Sequence, residues 1–336
     1  MTHISTALPV ELAAAISLLL HERPRKALAE RTQRISQGFR ARKTTRETIR
    51  DADDVLAYAL SRLPATYAAT ATVFGKICGE TPDFRPKTLL DLGCGLGAAS
   101  FAAMEVWPDI ESVAMLDRSA EFLAMAKNLV RASRFPALAN ASLVEADMKA
   151  LETKLGSYDL IVMSYSATEL ADADLAPTLE AAWRRCTGAL VVVEPGTPRD
   201  YARLMAARAA LTQAGAHIAL PCPHSRPCPL EPPDWCHFAA RLPRSRDHML
   251  VKNANVPFED EKFTYVVAAR DPRLFPAAPA RILQQPRILK YGLSLKLCVA
   301  SGIRETPILK GDKAQYGKIR KSSWGDRADA PPEDRT

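Results

Sequence analysis

Three of the chain's seven cysteines crowd into fifteen residues. They lie in Pro221-Cys222-Pro223-His224-Ser225-Arg226-Pro227-Cys228-Pro229-Leu230 and in Asp234-Trp235-Cys236-His237-Phe238. The spacing is C-x5-C-x7-C, and Cys298 follows after 61 intervening residues as a remote fourth candidate. Thiolates at that density suit a soft metal site, either zinc or an iron–sulfur cluster. Zinc ribbons favour paired C-x2–4-C knuckles, which this block lacks. Its wider, proline-studded spacing suits a body several ångströms across, with stiffened loops around it. His224 and His237 keep zinc open as the alternative metal. Cys298 also reads as a core cysteine of a strand over residues 295–299.

A second constellation is Leu89-Leu90-Asp91-Leu92-Gly93-Cys94-Gly95-Leu96-Gly97, which follows a strand-like run and opens a helix. Glycines there let the backbone turn sharply and approach a ligand with no Cβ in the way. Gly93, Gly95 and Ala98 also satisfy the dinucleotide G-x-G-x-x-A spacing. Three acids favour S-adenosylmethionine (SAM) instead. Asp91, two residues before the first glycine, is placed to hold the ammonium-bearing end of SAM, directly or through water. Asp117 ends the second strand, where ribose hydroxyls would lie, and Asp147 with Met148 ends the third, where adenine would lie. The competing reading is that Asp117 and Asp147 cap helices. Cys94 reads as a small residue tolerated in the loop. The expected cofactor-binding set is therefore Asp91, Gly93, Cys94, Gly95, Gly97, Asp117, Asp147 and Met148. The loop resembles motif I of class I SAM-dependent methyltransferases over roughly residues 86–200.

Catalytic residues are not evident. An amino-directed nucleic-acid methyltransferase carries a D/N-P-P-Y/F motif after the fourth strand, where this chain reads Met163-Ser164-Tyr165-Ser166-Ala167-Thr168-Glu169-Leu170. A cytosine-C5 enzyme needs a nucleophilic thiolate near this edge, and neither Cys78 nor Cys186 stands in a recognisable position. Tyr165 and Glu169 either line the pocket or pack the loop.

The elements that must position these residues follow from periodicity. Residues 1–80 predict a helical region: an amphipathic helix opening at Pro9-Val10-Glu11, a basic helix with Arg23, Arg25, Lys26, Arg31 and Arg34, a polar linker over 40–49, and a third helical segment over 53–74. From Lys87 strand-like runs recur at 88–91, 112–117, 142–147, 158–163, 189–194, 217–220 and 263–268, with helices between the earlier ones, as at 120–131 and 198–214. Alternating strands and helices predict a mostly parallel α/β sheet covered on both faces. The expectation is a class I SAM-dependent methyltransferase (Rossmann-like) seven-stranded sheet over 81–270. It carries a cysteine-rich metal-binding insertion at 221–250. Prolines 272, 276, 279 and 286 mark a linker, after which a small basic β-rich C-terminal extension and tail occupy 271–336, its strands near 287–309.

The chain has 336 residues, 47% hydrophobic and 25% charged, the balance of a soluble globular protein. Its formal net charge of +7 favours an acidic partner. No apolar run reaches the ~20 residues of a membrane span, and no secretory segment is visible. The expected compartment is the cytoplasm, where close thiols suggest metal instead of disulfides.

The Pro-Cys-Pro-His…Cys-Pro-Leu…Trp-Cys-His-Phe block over 221–238, joined to a SAM-type domain, resembles the methyltransferase-like assembly factors of the small ribosomal subunit. That family has a mitochondrial member and bacterial relatives. The closing segment Tyr316-Gly317-Lys318-Ile319-Arg320-Lys321-Ser322-Ser323-Trp324-Gly325-Asp326 is similar to the family's basic-Trp-Gly-Asp ending. The resemblance implies a [4Fe–4S] cluster on Cys222, Cys228, Cys236 and Cys298, binding to small-subunit ribosomal RNA (rRNA), and a SAM pocket whose catalytic use is doubtful. An active rRNA methyltransferase with a structural cluster, and a zinc-stabilised methyltransferase of a protein substrate, are the alternatives.

From Arg281 to Gly325 ten Lys or Arg stand against two acids, Glu305 and Asp312, a local excess of +8. Such a field suits phosphate contacts, and Tyr316 and Trp324 are placed to stack on unpaired bases. Arg241, Arg244, Arg246 and Lys252 form a second candidate patch after the third cysteine. The expected partner is the small ribosomal subunit or its rRNA, with no membrane and no DNA.

Overall fold

The computed structural model describes residues 4–21, 23–151 and 155–329. Five helices open the chain: α1 (Val10–Leu19), α2 (Arg25–Arg40), the single turn α3 (Thr45–Thr48), α4 (Ala52–Ser61) and α5 (Leu63–Glu80). The helical segment expected over 53–74 is two helices, broken at Arg62 with Pro64 in the first turn of α5. Proline suits a helix start because its missing N–H would have no partner there. Asp51 caps α4 by accepting from Asp54 N at 2.9 Å.

The basic residues of α2 are not simply solvated. Arg31 donates to Asp51 and Asp54 at 2.8 and 2.6 Å, Arg34 pairs with Asp54, and Arg25 reaches Asp247 at 2.7 Å. The charges lace α2 to α4 while Leu28 and Ile35 bury on the other face.

The α/β layer runs β1 (Thr88–Leu92), α6 (Ala98–Val106), β2 (Ser112–Asp117), α7 (Ala120–Arg131), α8 (Pro136–Ala139), β3 (Ser142–Glu145), β4 (Tyr158–Ser164), α9 (Asp172–Arg185), β5 (Cys186–Pro195), α10 (Pro198–Gln213), β6 (His217–Leu220), β7 (Phe238–Pro243), α11 (Arg246–Lys252) and β8 (Phe258–Ala269). The main path is β3-β2-β1-β4-β5-β8-β6. Strands β1 to β5 pair in parallel, and β8 runs antiparallel between β5 and β6. Seven strands in that order, with the penultimate one reversed, are the class I SAM-dependent methyltransferase topology. In β4 and β5 the central residues are buried on both faces, because helices cover both sides.

The sheet has eight strands, not seven. β7 pairs with the first half of β8, in the register Phe238↔Phe263 to Pro243↔Phe258. Its residues alternate buried and exposed along the strand, the period of a half-covered strand. This strand also corrects the second basic patch. Arg241 is paired across the ladder with Asp260 at 2.7 Å, and Arg244 and Lys252 both hold Glu259.

A second sheet, ordered β10-β11-β9-β13 with β12 on β11, closes the chain. It is built from β9 (Ala280–Ile282), β10 (Arg287–Leu289), β11 (Gly292–Val299), β12 (Gly302–Leu309) and, after α12 (Lys313–Ile319), β13 (Arg327–Ala328). Leu293, Leu295, Leu297, Ile308 and Ile319 form its own small core. The unit begins earlier than expected, and the tail returns as its edge strand. Trp324 is not free to stack on a base: it packs against His237 and Phe238, with ring centroids 4.7 and 6.1 Å away. No helix among the described residues is long and apolar enough to cross a membrane.

Arg281, counted above as a tail cation, is the largest fully buried side chain. It donates to Glu80 through two nitrogens at 2.5 and 3.0 Å, to the Pro221 carbonyl at 2.7 Å and to the Gly325 carbonyl at 3.1 Å. Removing one partner of a buried, hydrogen-bonded ion pair leaves the other charge stranded. Arg281→Ala is therefore expected to lower the unfolding free energy by about 3–5 kcal/mol in urea titrations followed by circular dichroism, whereas Arg287→Ala on the exposed edge should change it little.

Candidate cofactor pocket and cysteine centre

The carboxyl ends of β1, β2 and β4 open into a cavity of about 780 Å³. Gly93, Gly95 and Gly97 all have positive φ (69°, 52° and 84°), the left-handed region that a Cβ disfavours. A Cβ on Gly93 would also lie 2.4 Å from the Ser166 Cβ and 2.8 Å from the Met148 Cε. Of the eight residues expected to bind cofactor, Gly93, Cys94, Gly95, Asp117, Asp147 and Met148 line the cavity.

The other two lie behind it. Gly97 caps the start of α6, and a Cβ there would lie 2.7 Å from the Met115 Cε. Asp91 is buried beneath the loop and accepts from the Ser100 hydroxyl and amide at 2.7 and 3.2 Å. Its carboxylate ties the loop to α6 instead of facing a ligand. Asp117 accepts from Gly95 N at 2.8 Å and Ser119 N at 2.9 Å, and burial raises its pKa. Asp147 accepts from Lys149 N, so its capping role and its place on the wall coexist.

After β4, Tyr165 has φ +58°, an uncommon conformation for a bulky residue. Its hydroxyl donates to Glu261 at 2.9 Å. Ser164 shares a hydrogen bond with Thr70, and Ser166 donates to the Leu92 carbonyl. Glu169 accepts from Thr45 N at 3.1 Å and from Arg118 at 3.2 Å. Tyr165 and Glu169 thus both line the cavity and hold the loop. Thr45, Arg46, Ile49, Tyr58, Leu63 and Thr66 complete the wall from the N-terminal helices. No local motif signalled these, because they reach the site only through tertiary packing.

The second centre lies beyond the β6–β8 edge. Cys222, Cys228, Cys236 and Cys298 line one small cavity, together with Tyr201, Thr264, Tyr265 and Arg281. Cys222 follows β6, Cys236 precedes β7, and Cys298 sits in β11 opposite Arg281 of β9. Cys298 is thus both a strand residue and a member of the set. Arg208, buried on α10, donates to the His224 and Arg226 carbonyls at 2.7 Å each. Tyr201 shares a 3.1 Å hydrogen bond with Cys228. Burial pushes the Cys222, Cys236 and Cys298 thiols up, Cys298 to about 12, and the Cys228 sulfur adds to each rise. Arg208 and Arg281 pull the other way at Cys222 and Cys298.

His224 and His237 do not line this cavity; His237 is stacked on Trp235 at 4.7 Å. Among the described residues, no three His, Cys, Asp or Glu side chains converge as ligands of a single ion. A four-iron cluster makes a different demand, one thiolate at each of four corners, with the sulfurs spread around the body. The four cysteines on one lining, with the Arg208 and Arg281 guanidinium groups nearby, fit that donor set.

Fold and pocket together define a protein built on the class I SAM-dependent methyltransferase scaffold, with a thiol-lined centre at the sheet's edge. The profile of the family described as mitochondrial small ribosomal subunit Rsm22 matches residues 52–329, and the chain belongs to that family. It is 28% identical over 295 residues to the human ribosome assembly protein METTL17, mitochondrial, covering 81% of this chain and 61% of that one. It is also 28% identical over 193 residues to the Rsm22-cox11 tandem protein 2 of Schizosaccharomyces pombe, covering 53% and 26%. The chain thus spans less than two thirds of either relative. Among solved structures, the SAM-bound magnesium protoporphyrin IX methyltransferase of Synechocystis PCC 6803 is 11% identical. That alignment covers 66% of this chain and 85% of the enzyme at a TM-score of 0.41. The fold assignment rests on strand order.

Two outcomes are expected at the pocket. Gly93→Ala should lower the affinity for S-adenosylhomocysteine at least about tenfold in calorimetric titrations, because the new methyl strains the turn and closes the cavity. Burial raises Asp91 to about 7, above its unfolded value of about 3.9. Between those values the folded chain holds a proton that the unfolded chain releases, so stability falls as pH rises. Relative to Asp91→Asn, the wild type should lose roughly 1.4 kcal/mol per pH unit between about pH 5 and 6.5. The two urea-derived curves should run parallel above about pH 8.

Proposed function

We propose that the chain is an assembly factor of the small ribosomal subunit that binds rRNA. In this reading it holds a SAM-type ligand in the β1–β2–β4 pocket and a [4Fe–4S] cluster on Cys222, Cys228, Cys236 and Cys298. The observation that carries it is the convergence of the four cysteines on one cavity whose wall also contains Arg281. Family membership supplies the ribosomal context. A cluster there cross-links the loop after β6 to the C-terminal sheet, and Arg281 ties both to α5 through Glu80 and to the tail through Gly325. The exposed cations of that sheet and tail, among them Arg287, Lys290, Lys310, Arg320 and Lys321, are then presented from a fixed surface. Lys296 and Lys318 are already paired, with Asp234 and Asp329.

A second reading, methyl transfer to rRNA, is favoured by the strained backbone of Tyr165 on the pocket wall, since such strain gathers at functional sites. SAM would supply an electrophilic methyl group there. Base-resolved methylation mapping in a deletion strain separates the two: one lost rRNA methyl group, restored by wild type but not by Gly93→Arg, favours the enzyme.

The cluster is tested on the whole chain purified without oxygen. The expected product is brown, with about four irons per chain, and Cys222→Ser/Cys236→Ser should be colourless, still folded, and weaker in co-sedimentation with small-subunit precursors. Colourless wild-type protein with stoichiometric zinc overturns the cluster. Equal co-sedimentation of the cluster-free variant overturns its link to binding.

A further inference from the structure

The mouth of the cofactor pocket carries a feature that neither the fold nor the cysteine centre requires. Between α2 and α4 the chain reads Arg40-Ala41-Arg42-Lys43-Thr44-Thr45-Arg46-Glu47-Thr48-Ile49-Arg50, five cations against one acid. All five cationic side chains are exposed. The single acid, Glu47, is engaged in a capping box, accepting from Thr44 N at 2.7 Å and the Thr44 hydroxyl at 2.8 Å. No carboxylate among the described residues lies within ion-pairing distance of Arg40, Arg42, Lys43, Arg46 or Arg50. The cations of neighbouring α2 behave differently, since Arg25, Arg31 and Arg34 all have acidic partners.

The strap is held in shape although none of its cations is ion-paired among the described residues. Arg34 donates to the Thr48 carbonyl at 2.9 Å, the Thr48 hydroxyl donates to the Thr44 carbonyl at 2.8 Å, and Arg42 turns the chain with φ +62°. Its inner side forms part of the cofactor pocket through Thr45, Arg46 and Ile49, and Thr45 is latched to Glu169. Arg118 and Lys149 stand on the same wall but are already paired, Arg118 with Glu169 and Lys149 with Asp147 and Asp174, so the unpaired cations of the rim are those of the strap. Exposed cations gathered on a short segment of defined backbone suit a chain of phosphates. The segment offers a lipid surface only the Ala41 methyl, because its one large apolar side chain, Ile49, faces the pocket.

We infer that residues 40–50 form an RNA-binding strap whose grip on the phosphate backbone is linked to occupancy of the cofactor pocket. A ligand against Thr45, Arg46 and Ile49 buttresses the strap from inside, and RNA held outside restrains the same wall. Linkage is reciprocal, so each ligand tightens the other by one common factor. The pocket's ligand then acts on RNA affinity without any transfer of its methyl group. The inference rests on the RNA-binding reading above, and the experiment separates the two.

The test uses the full chain with its cysteine centre loaded, and a labelled mixed-sequence single-stranded RNA of roughly 20 nucleotides. Anisotropy titrations run between about 50 and 200 mM KCl, with and without saturating S-adenosylhomocysteine. The variant is Arg42→Asn/Lys43→Gln/Arg50→Gln, which spares the pocket wall and keeps a residue at position 42 that tolerates positive φ. Three lost phosphate contacts should reduce the slope of log K against log salt by about 2 and weaken binding at least tenfold. The variant's affinity for S-adenosylhomocysteine without RNA should be unchanged. In the wild type, S-adenosylhomocysteine should tighten RNA binding about fivefold or more, and RNA should tighten S-adenosylhomocysteine by the same factor. Equal slopes for variant and wild type overturn the strap, and a wild-type response to S-adenosylhomocysteine of unity overturns the linkage. Absence of salt-dependent RNA binding by the wild type overturns the RNA-binding reading itself.

Discussion

A guanidinium cannot be taken out of water unless its donors are met, and Arg281 is buried with partners drawn from three different parts of the chain. Glu80 comes from the end of α5, the Pro221 carbonyl from the head of the cysteine loop, and the Gly325 carbonyl from the tail. The ion pair alone is weak evidence of net stabilisation, since desolvation offsets much of the attraction. Its consequence is specificity of arrangement. Any alternative docking of the C-terminal sheet strands a charge in the interior, so the tail, the loop and α5 must meet in one way. The His237–Trp324 and Phe238–Trp324 contacts follow from that meeting.

Local pattern carried the parallel sheet well into view. Buried strands such as β4 and β5 read as continuous apolar runs, and Asp117 ends β2 as its spacing predicts, whereas β3 stops at Glu145, two residues short of Asp147, which caps the next turn. β7 was hidden for a physical reason. Its exposed positions hold Ala239, Arg241 and Pro243, and the arginine drew attention as a cation when its partner, Asp260, lies across a ladder formed by a later strand. Asp91 illustrates the same limit in the pocket. Its spacing from Gly93 was plain, but only the tertiary position of Ser100 decides which way the carboxylate faces. The four cysteines were recognisable as a set, whereas Arg208 and Arg281, which hold the loop around them, come from α10 and β9 and carry no local mark.

The distribution of charge reshapes what the net value of +7 means. Much of the basic character visible in composition is internal bracing: α2 against α4, β7 against β8, and Arg281 within the core. Such pairs fix geometry and contribute little long-range field, because each cation stands beside its counter-charge. The field that remains belongs mainly to cations outside ion pairs, in the segment between α2 and α4 and, apart from Lys296 and Lys318, on the exposed C-terminal sheet and tail. A polyanion would sense those two regions far more strongly than the helices where the arginines are most numerous.

Helix α5 places the two centres in one mechanical unit. Its first turns contribute Leu63 and Thr66 to the cofactor cavity, and Thr70 bonds Ser164 at the end of β4. Its last residue, Glu80, holds Arg281 on the wall of the cysteine cavity. Eighteen helical residues span about 27 Å, and α5 is buried along most of that length, so it is poorly placed to bend. A helix packed on that scale moves, if at all, as a body. One end of this strut thus meets Arg281 at the thiol-lined cavity through Glu80, and the other end lines the cofactor pocket through Leu63 and Thr66. The methyltransferase scaffold in this chain is thus the frame that keeps the cofactor pocket and the cysteine-lined cavity in fixed relation, whatever chemistry the pocket itself supports.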